Sequence, residues 1–347
     1  MRRTLFLLLA VGGTACSLML AVPRNASSAM TEDERKLATF LYDGMWDRCE
    51  RLLSGVLTIE ETRRGPAIAD ADGEHEYLIA FDHEAKCFRH DHRYGGRHVQ
   101  WARTPAESLL HVAGTYVLTR DPPDKPVVVD GSQAFDLRLL GAATYGELSM
   151  RFPYDDFRKF LDAQPVSECF EEPDSARRVS WEYSVQGGAT VRRTIWIEED
   201  KGFAPIRLQV HMLSRGATDW AQAKLLDENL MEWARIGDAW VPTRCTFIEA
   251  QTESRYELTL VWKLANQPVP ATFFQPEGFD LPNGTGVFNN RLDPPLLEWT
   301  VGVDMPKVAQ RDESPNKRLR WVLGVSAVVV CVVVGISAVR YRWARRG

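Results

Sequence analysis

Short segments in which apolar and polar residues alternate dominate the chain from residue 179 to residue 288. In residues 256–264, the five even-numbered positions are apolar, and three of the four positions between them are polar. Because successive side chains of a β-strand point to opposite faces of the sheet, this alternation predicts strands with one buried and one solvated face. Sheets that are apolar on one face only are usually antiparallel. The sequence therefore predicts a single curved antiparallel sheet.

A different period, of four residues, precedes these strands. Thr31 and Glu34 have the spacing of a capping box, in which each side chain accepts a hydrogen bond from the other residue's backbone N–H. The pattern that follows predicts an amphipathic helix that lies on the apolar face of the sheet and is stopped by Gly55. Its apolar stripe consists of Leu37, Leu41, Met45, Cys49 and Leu53, widened by Phe40 and Leu52.

Alternation and turn residues predict further elements along the chain. A short helix is expected at residues 154–161, after a mixed stretch at residues 135–150. Hairpin turns are expected at residues 187–188 and 236–239. The additional strand-forming segments are residues 56–62, 76–93, 97–103, 114–120 and 126–130.

Both ends of the chain are apolar. Arg2 and Arg3 precede an apolar run at residues 5–22, and small residues follow up to Ala29. This pattern predicts a signal peptide at residues 1–29, with a retained N-terminal anchor as the alternative. Residues 321–339 contain no charged residue and would span about 28 Å as a helix, which is enough for the hydrocarbon core of a membrane.

These ends predict a single-pass protein of the inner (cytoplasmic) membrane, with its body exported to the periplasm or the cell exterior. The signal peptide decides this orientation, because basic residues flank the predicted span on both sides. The predicted divisions are an exported β-rich domain at residues 30–290, a polar tether at 291–320, a transmembrane helix at 321–339 and a basic cytoplasmic tail at 340–347.

The negative charge of the chain belongs to the predicted exported body. The chain has 42 Lys and Arg residues and 47 Asp and Glu residues. Ten of the basic residues and none of the acidic ones lie in residues 1–29 and 317–347, so residues 30–316 carry a formal net charge of −15. A nucleic-acid partner is therefore not expected, because phosphate backbones bind basic surfaces.

The order of elements and several sequence stretches resemble the LolA-like family of outer-membrane lipoprotein carriers and LppX-type proteins, in the divergent form found in exported proteins of planctomycete-type bacteria. The stretches are residues 229–242, 256–262, 274–279 and 281–284. The resemblance covers residues 31–290 and implies an α+β, mainly antiparallel fold: a curved, half-open barrel covered by helices, which holds acyl chains in its concave apolar face. The carriers shuttle in solution, whereas this chain adds a predicted transmembrane helix.

A concave apolar face of this kind would bind its ligand through the buried side chains of the strands. Large aromatic side chains also dominate ordinary protein cores, so a filled core is the alternative. The candidate cavity residues are Trp181, Tyr183, Ile206, Leu208, Val210, Met212, Tyr256, Leu258, Leu260 and Trp262.

The sharpest cluster of chemically reactive residues lies between Asp82 and His98, where four of the seven histidines of the chain occur. His90 and His92 would point to one face of a strand, and Cys87 is a nearby candidate ligand for zinc or copper. The spacing matches no established metal motif, so neither a metal nor another cofactor is expected.

The four cysteines of the exported body permit two disulfides in three pairings, with buried free thiols as the alternative. These cysteines are Cys49, Cys87, Cys169 and Cys245. Adjacent carboxylates at residues 60–61, 155–156 and 171–172 are predicted to be solvated surface, because neighbours on a strand face opposite ways.

The chain is therefore predicted to be a non-catalytic, membrane-anchored domain that binds a lipid, a lipoprotein acyl chain or another apolar ligand. A structural or sensing envelope ectodomain with a filled core, which binds other envelope proteins, is the first alternative. A metal-dependent hydrolase that uses the cluster from His83 to His98 is the second alternative.

Overall fold

A computed structural model describes residues 30–66, 68, 73–112, 115, 117–123, 136–149, 154–171, 176–185, 187–292 and 294–302. The predicted signal peptide, transmembrane helix, cytoplasmic tail, strand at 126–130 and most of the tether lie outside these residues. Within the described ranges, no helix has both the length and the apolar composition needed to cross a membrane.

Fifteen strands of the described chain form one continuous sheet. They are β1 (Ser54–Arg64), β2 (Glu74–Asp82), β3 (Cys87–Tyr94), β4 (Arg97–Arg103), β5 (Ser108–Val112), β6 (Val117–Asp121), β7 (Val166–Glu171), β8 (Arg177–Ser184), β9 (Thr190–Glu198), β10 (Ala204–Leu213), β11 (Lys224–Ile236), β12 (Ala239–Glu249), β13 (Ser254–Ala265), β14 (Gly286–Asn289) and β15 (Leu296–Thr300). The spatial order is β15-β14-β6-β5-β4-β3-β2-β1-β13-β12-β11-β10-β9-β8-β7. All neighbours are antiparallel except β6 and β14, so the prediction of a mainly antiparallel sheet is confirmed.

Three α-helices accompany the sheet in the described residues: α1 (Glu32–Arg51), α2 (Tyr145–Ser149) and α3 (Tyr154–Asp162). The capping box at the start of α1 forms as predicted. The Glu34 N–H donates to the Thr31 hydroxyl at 3.2 Å, and the Thr31 N–H donates to the Glu34 carboxylate at 2.6 Å. Helix α1 packs against β7, β8 and β10, so its apolar side covers the sheet as expected.

The predicted end of α1 and the edges of its stripe are wrong. The helix ends at Arg51, and Gly55 lies inside β1, where an added Cβ would be 2.7 Å from the Trp262 ring. Phe40 and Leu53, both predicted to face the sheet, are 53% and 42% exposed. Leu53 lies beyond the end of the helix, so the helical spacing does not apply to it. Phe40 lies one position, or about 100° around the helix, from the buried Leu41.

Four strands were not predicted, because their sequences are short and lack clear alternation. These strands are β5, β7, β14 and β15. Strand β15 lies within the segment predicted to be the tether, and it pairs with β14 from Gly286↔Thr300 to Asn289↔Leu296. Strand β14 in turn pairs with β6, far earlier in the chain. The sheet therefore continues to Thr300, ten residues past the predicted domain end.

The main core lies on one face of the sheet, beneath α1. Its largest fully buried side chains include Trp46 of α1, Tyr77 of β2 and Trp181 of β8. A smaller cluster joins Ala102, Leu109 and Leu118 of β4–β6 to Phe279 and Val287, so the segment after β13 covers a different part of the sheet.

Candidate functional site

The ten predicted cavity residues all lie in or against the main core. Six are buried, namely Trp181, Tyr183, Leu208, Val210, Leu258 and Leu260. The other four, Ile206, Met212, Tyr256 and Trp262, are half-buried and pack against that core. Helix α1 covers part of this surface, because the Tyr42 ring lies 5.6 Å from the Trp181 ring. That these residues contact a ligand stays a prediction.

A separate cavity of about 890 Å³ lies at the C-terminal half of α1, and we call it the α1 cavity. Residues of α1 and of five connecting segments line it: the α1–β1 connection, the β2–β3, β9–β10 and β11–β12 turns and the loop after β13. None of the ten predicted residues is among its lining. The lining consists of Gly44, Asp47, Arg48, Arg51, Leu52, Leu53, Ser54, Asp82, Glu84, Gly202, Phe203, Asp238, Ala239, Trp240, Asn266, Gln267 and Pro268.

Two glycines let aromatic rings form the apolar wall of this cavity. Gly202, at φ 65°, ends a short 3₁₀ turn, and a Cβ there would be 2.9 Å from the Trp240 ring. Phe203 follows at φ 63°, a left-handed conformation that few non-glycine residues adopt. Its ring lies directly on the backbone of α1 at Gly44. The β9–β10 turn and the helix therefore meet at close range along this wall.

The C-terminus of α1 is tied to the strand edge of the same cavity by Asn266. The Asn266 side-chain amide donates to the Arg51 carbonyl at 2.8 Å, and its oxygen accepts the Leu53 N–H at 2.9 Å. Asn266 itself has φ 51°. One side chain thus satisfies the Arg51 carbonyl, which the helix end leaves without an intrahelical partner, and the N–H of Leu53 just beyond the helix.

Arg48 places a buried positive charge on the cavity wall. It is 9% exposed, and its guanidinium lies 4.2 Å above the Trp233 ring. One terminal nitrogen donates to the Cys49 thiol at 3.1 Å, while the buried Nε has no hydrogen-bond partner in the described part of the chain. Burial raises the pKa of Cys49, so this neighbour is a neutral thiol. No carboxylate of a described residue forms an ion pair with Arg48.

The other charges of the α1 cavity lie towards solvent. Asp47, Glu84 and Asp238 are exposed, as is Arg51. Asp82 is half-buried and accepts the Ala85 N–H at 2.8 Å, which stabilises the β2–β3 turn. The cavity therefore has an apolar aromatic wall, a buried guanidinium and a polar rim.

A buried polar network occupies the core face of β1–β3. The Glu61 carboxylate, 1% exposed, accepts hydrogen bonds from the Tyr77 hydroxyl at 2.5 Å, the Tyr145 hydroxyl at 2.6 Å and the Arg63 guanidinium at 3.0 Å. Burial, reinforced by the charge of Glu61, raises the pKa of both tyrosines. The prediction that residues 60–61 are both solvated is thus wrong for Glu61.

Two imidazoles extend this network. Nδ1 of His75 lies 2.8 Å from Nε2 of His92, and the His92 ring stacks between Tyr77 and Tyr94 at 4.4 Å from each. Burial, with additional repulsion from nearby positive groups, lowers the pKa of His92 to about 2. His92 is therefore neutral at physiological pH. A second cavity, of about 590 Å³, reaches Glu61 and His75 from the ends of these strands.

The structure separates the proposed metal ligands. His90 and His92 lie on the core face of β3 beside Tyr77, whereas Cys87 packs with Val56 and Ala80 on the opposite face. Among the described residues, no group of three or more His, Cys, Asp and Glu side chains is arranged to hold a metal ion. Cys87 therefore cannot complete a site with the two histidines.

All four cysteines of the body carry free thiols in the structure. Cys49, Cys169 and Cys245 are buried, and Cys87 is half-buried. The Cys49 thiol donates to the Arg138 carbonyl at 3.0 Å, which fixes it in the contact between α1 and the segment before α2.

The sequence contained signals for the burial of Arg48 and Glu61, which was not predicted. Arg48 follows Leu41 and Met45 and precedes Leu52 at spacings of four, three and four, which is the spacing of the buried helix face. Glu61 follows Leu57 and Ile59 on the buried face of β1. In both cases, the signal is a charged residue at a position where the periodic pattern has an apolar one.

No family model matches the chain, and no curated protein sequence matches it. Solved structures do resemble it. A LolA superfamily protein from Nitrosomonas europaea is 11% identical over 70% of this chain and 99% of its own, with a TM-score of 0.39. A DUF1329 family protein from Desulfovibrio piger is 11% identical over 70% and 98%, with a TM-score of 0.41. The lipoprotein LppX from Mycobacterium tuberculosis is 9% identical over 68% and 98%, with a TM-score of 0.27. LolA-like and LppX-type proteins, the family named from the sequence resemblance, are thus among the solved structures that resemble this chain.

Proposed function

We propose that this chain is an exported, membrane-anchored, non-catalytic protein that binds a lipid, a lipoprotein acyl chain or another apolar ligand in the α1 cavity. The observation that carries the proposal is the wall formed by Leu52, Phe203 and Trp240 in a cavity of about 890 Å³. Ligand sites are typically concave, about 300–1,000 Å³ in volume and mostly apolar, with a few polar groups that orient the ligand.

We further propose that the ten predicted cavity residues of the strands, here called the half-barrel surface, contact part of a longer ligand. The ten core residues from Trp181 to Trp262 would meet a longer acyl chain if α1 moved away from the sheet. Trp262 is the natural point of entry, because it is half-buried and contacts Gly55 next to the lining residue Ser54.

Native mass spectrometry of the full chain, released from neutral detergent micelles, tests the proposal. The expected result is an added mass of several hundred daltons that organic extraction identifies as a lipid. Phe203→Asn combined with Trp240→Gln should remove it, since asparagine tolerates the left-handed backbone at 203. The matched control is Val261→Asn, at a position that is 53% exposed on β13 and outside the cavity. Trp262→Gln reports separately on the half-barrel surface.

A structural or sensing ectodomain is the second candidate, favoured by the filled packing of Trp181 and its neighbours against α1. It predicts a mass equal to that of the protein alone, both before and after incubation with lipid. That result would overturn the lipid-binding proposal.

A further inference from the structure

The α1 cavity contains one buried charge that has no ion-pair partner among the described residues, the Arg48 guanidinium. Removing a guanidinium from water costs free energy unless an anion or hydrogen-bond acceptors replace the lost water. Among the described residues, the guanidinium contacts one neutral thiol and one indole face. The C-terminus of α1 supplies a partial negative charge of roughly half a unit, which offsets only part of the guanidinium charge.

The guanidinium is also held in a fixed position. The Trp233 ring beneath it is itself anchored, because its Nε1 donates to the Pro205 carbonyl at 2.8 Å. The planar fork of an arginine placed on an aromatic face is suited to binding an oxyanion through two parallel hydrogen bonds. Its position is therefore set before any ligand arrives.

The rim restricts which anions can use this site. Asp47, Asp82, Glu84 and Asp238 surround the cavity, with Arg51 as the second cation. Four carboxylates repel a polyanion such as a polyphosphate, and the repulsion is weakest for a single negative charge. The aromatic wall formed by Phe203 and Trp240 contributes favourable burial only to a ligand with an apolar part.

We propose that Arg48 binds the single negative charge of an amphiphile whose chain lies against Phe203 and Trp240. The ligand class is a monoanionic oxyanion head, a carboxylate or a phosphodiester, on an acyl chain. This inference rests on the proposed function and adds the chemistry of the head group to it.

Binding of matched amphiphiles to the full chain in neutral detergent, measured by native mass spectrometry titration, tests the inference. The probes are oleate, its neutral counterpart oleyl alcohol, and lysophosphatidylglycerol, a monoanionic phosphodiester. The wild-type protein should bind oleate or lysophosphatidylglycerol at least tenfold more tightly than oleyl alcohol. Whichever of the two anions binds more tightly identifies the source of the charge.

Arg48→Gln should remove this preference. The affinity for the anionic probe should fall about tenfold, whereas the affinity for oleyl alcohol should stay within about twofold of wild type. Arg51→Gln is the matched control, since Arg51 lines the same cavity from an exposed position. An equal loss in both variants would assign the effect to general electrostatics and overturn the role of Arg48.

The wild-type comparison requires no variant and decides the inference even if Arg48→Gln does not fold. Equal binding of oleate and oleyl alcohol would overturn the anion site and leave the proposed function standing. Binding of none of the three probes would overturn both.

Discussion

The Phe203 ring occupies the space that a side chain at Gly44 would fill. A Cβ built on Gly44 would lie 2.5 Å from two ring carbons, closer than real contacts allow. The glycine in the middle of α1 is therefore required for the β9–β10 turn to reach the helix. This single contact closes the aromatic side of the α1 cavity.

Gly44→Ala should destabilise the protein by about 1–3 kcal/mol, since an added methyl group overpacks the contact. The sign of this change in the free energy of unfolding is informative, because alanine in a helix interior is normally more stable than glycine by about 1 kcal/mol. Urea unfolding of the full chain, followed by tryptophan fluorescence, measures the change. The matched control is Gly146→Ala in α2, where an added Cβ meets nothing closer than 4.0 Å. Equal stability of Gly44→Ala and wild type would contradict the close contact.

Glu61→Ala should lower the free energy of unfolding by about 3–5 kcal/mol, because it leaves Arg63 and two tyrosine hydroxyls without their shared acceptor. Glu60→Ala, one residue earlier on the exposed face of β1, should change it by about 0.5 kcal/mol or less. The two variants compared in the same unfolding experiment separate a buried from a solvated carboxylate. Similar costs for both would show that Glu61 is not the centre of a network.

Stability should fall as the pH rises from about 4 to about 7 because of Asp227. Burial, with repulsion from Glu147 and Glu249, raises the pKa of Asp227 to about 7, despite the opposing charge of Arg193. A raised folded-state pKa gives a contribution that is fully present below the unfolded pKa of about 4 and is lost as the pH rises through 7.

Asp227→Asn should therefore flatten the pH profile of the unfolding free energy between pH 4 and pH 8 and raise stability at pH 8 by about 1–3 kcal/mol. Asp43→Asn, at an exposed position of α1, serves as the control and should leave the slope unchanged. A profile with the same slope in Asp227→Asn and wild type would assign the pH dependence to other groups.

Asn266→Ala should destabilise the protein more than Asn266→Gly does. Both variants lose the hydrogen bonds to Arg51 and Leu53, at a cost of about 1–2 kcal/mol. Alanine adds about 1 kcal/mol because it disfavours the left-handed backbone at φ 51°. Thermal unfolding of the two variants isolates this difference, and equal melting temperatures would argue against strain at position 266.

Periodicity was sufficient to predict the longest elements. The capping box at Thr31 and the alternation in β13 are local, so each could be recognised without knowledge of its neighbours. The parallel pairing of β14 with β6 could not be recognised from the sequence, because these short strands pair across a long separation in the chain.

The α1 cavity was beyond prediction for a related reason. Its lining comes from one helix and five connecting segments, and only the folded sheet brings Arg48, Phe203 and Trp240 together. The predicted residues on the strands follow the apolar pattern, but that pattern marks burial and does not separate core from ligand surface.

The position of β1 in the sheet has a consequence for the order in which the protein folds. Strands β1–β6 and β7–β13 each pair with sequence neighbours. In the described sheet, the two runs join along the β1–β13 ladder, from Gly55↔Ala265 to Arg64↔Arg255. Contacts at such long sequence separation slow folding, because a large loop must close before they form. During synthesis from the N-terminus, β1 therefore lacks one of its two neighbours until β13 is made, and the apolar side of α1 lacks its cover until β7, β8 and β10 are made. We expect this interval to be when the chain most needs a chaperone.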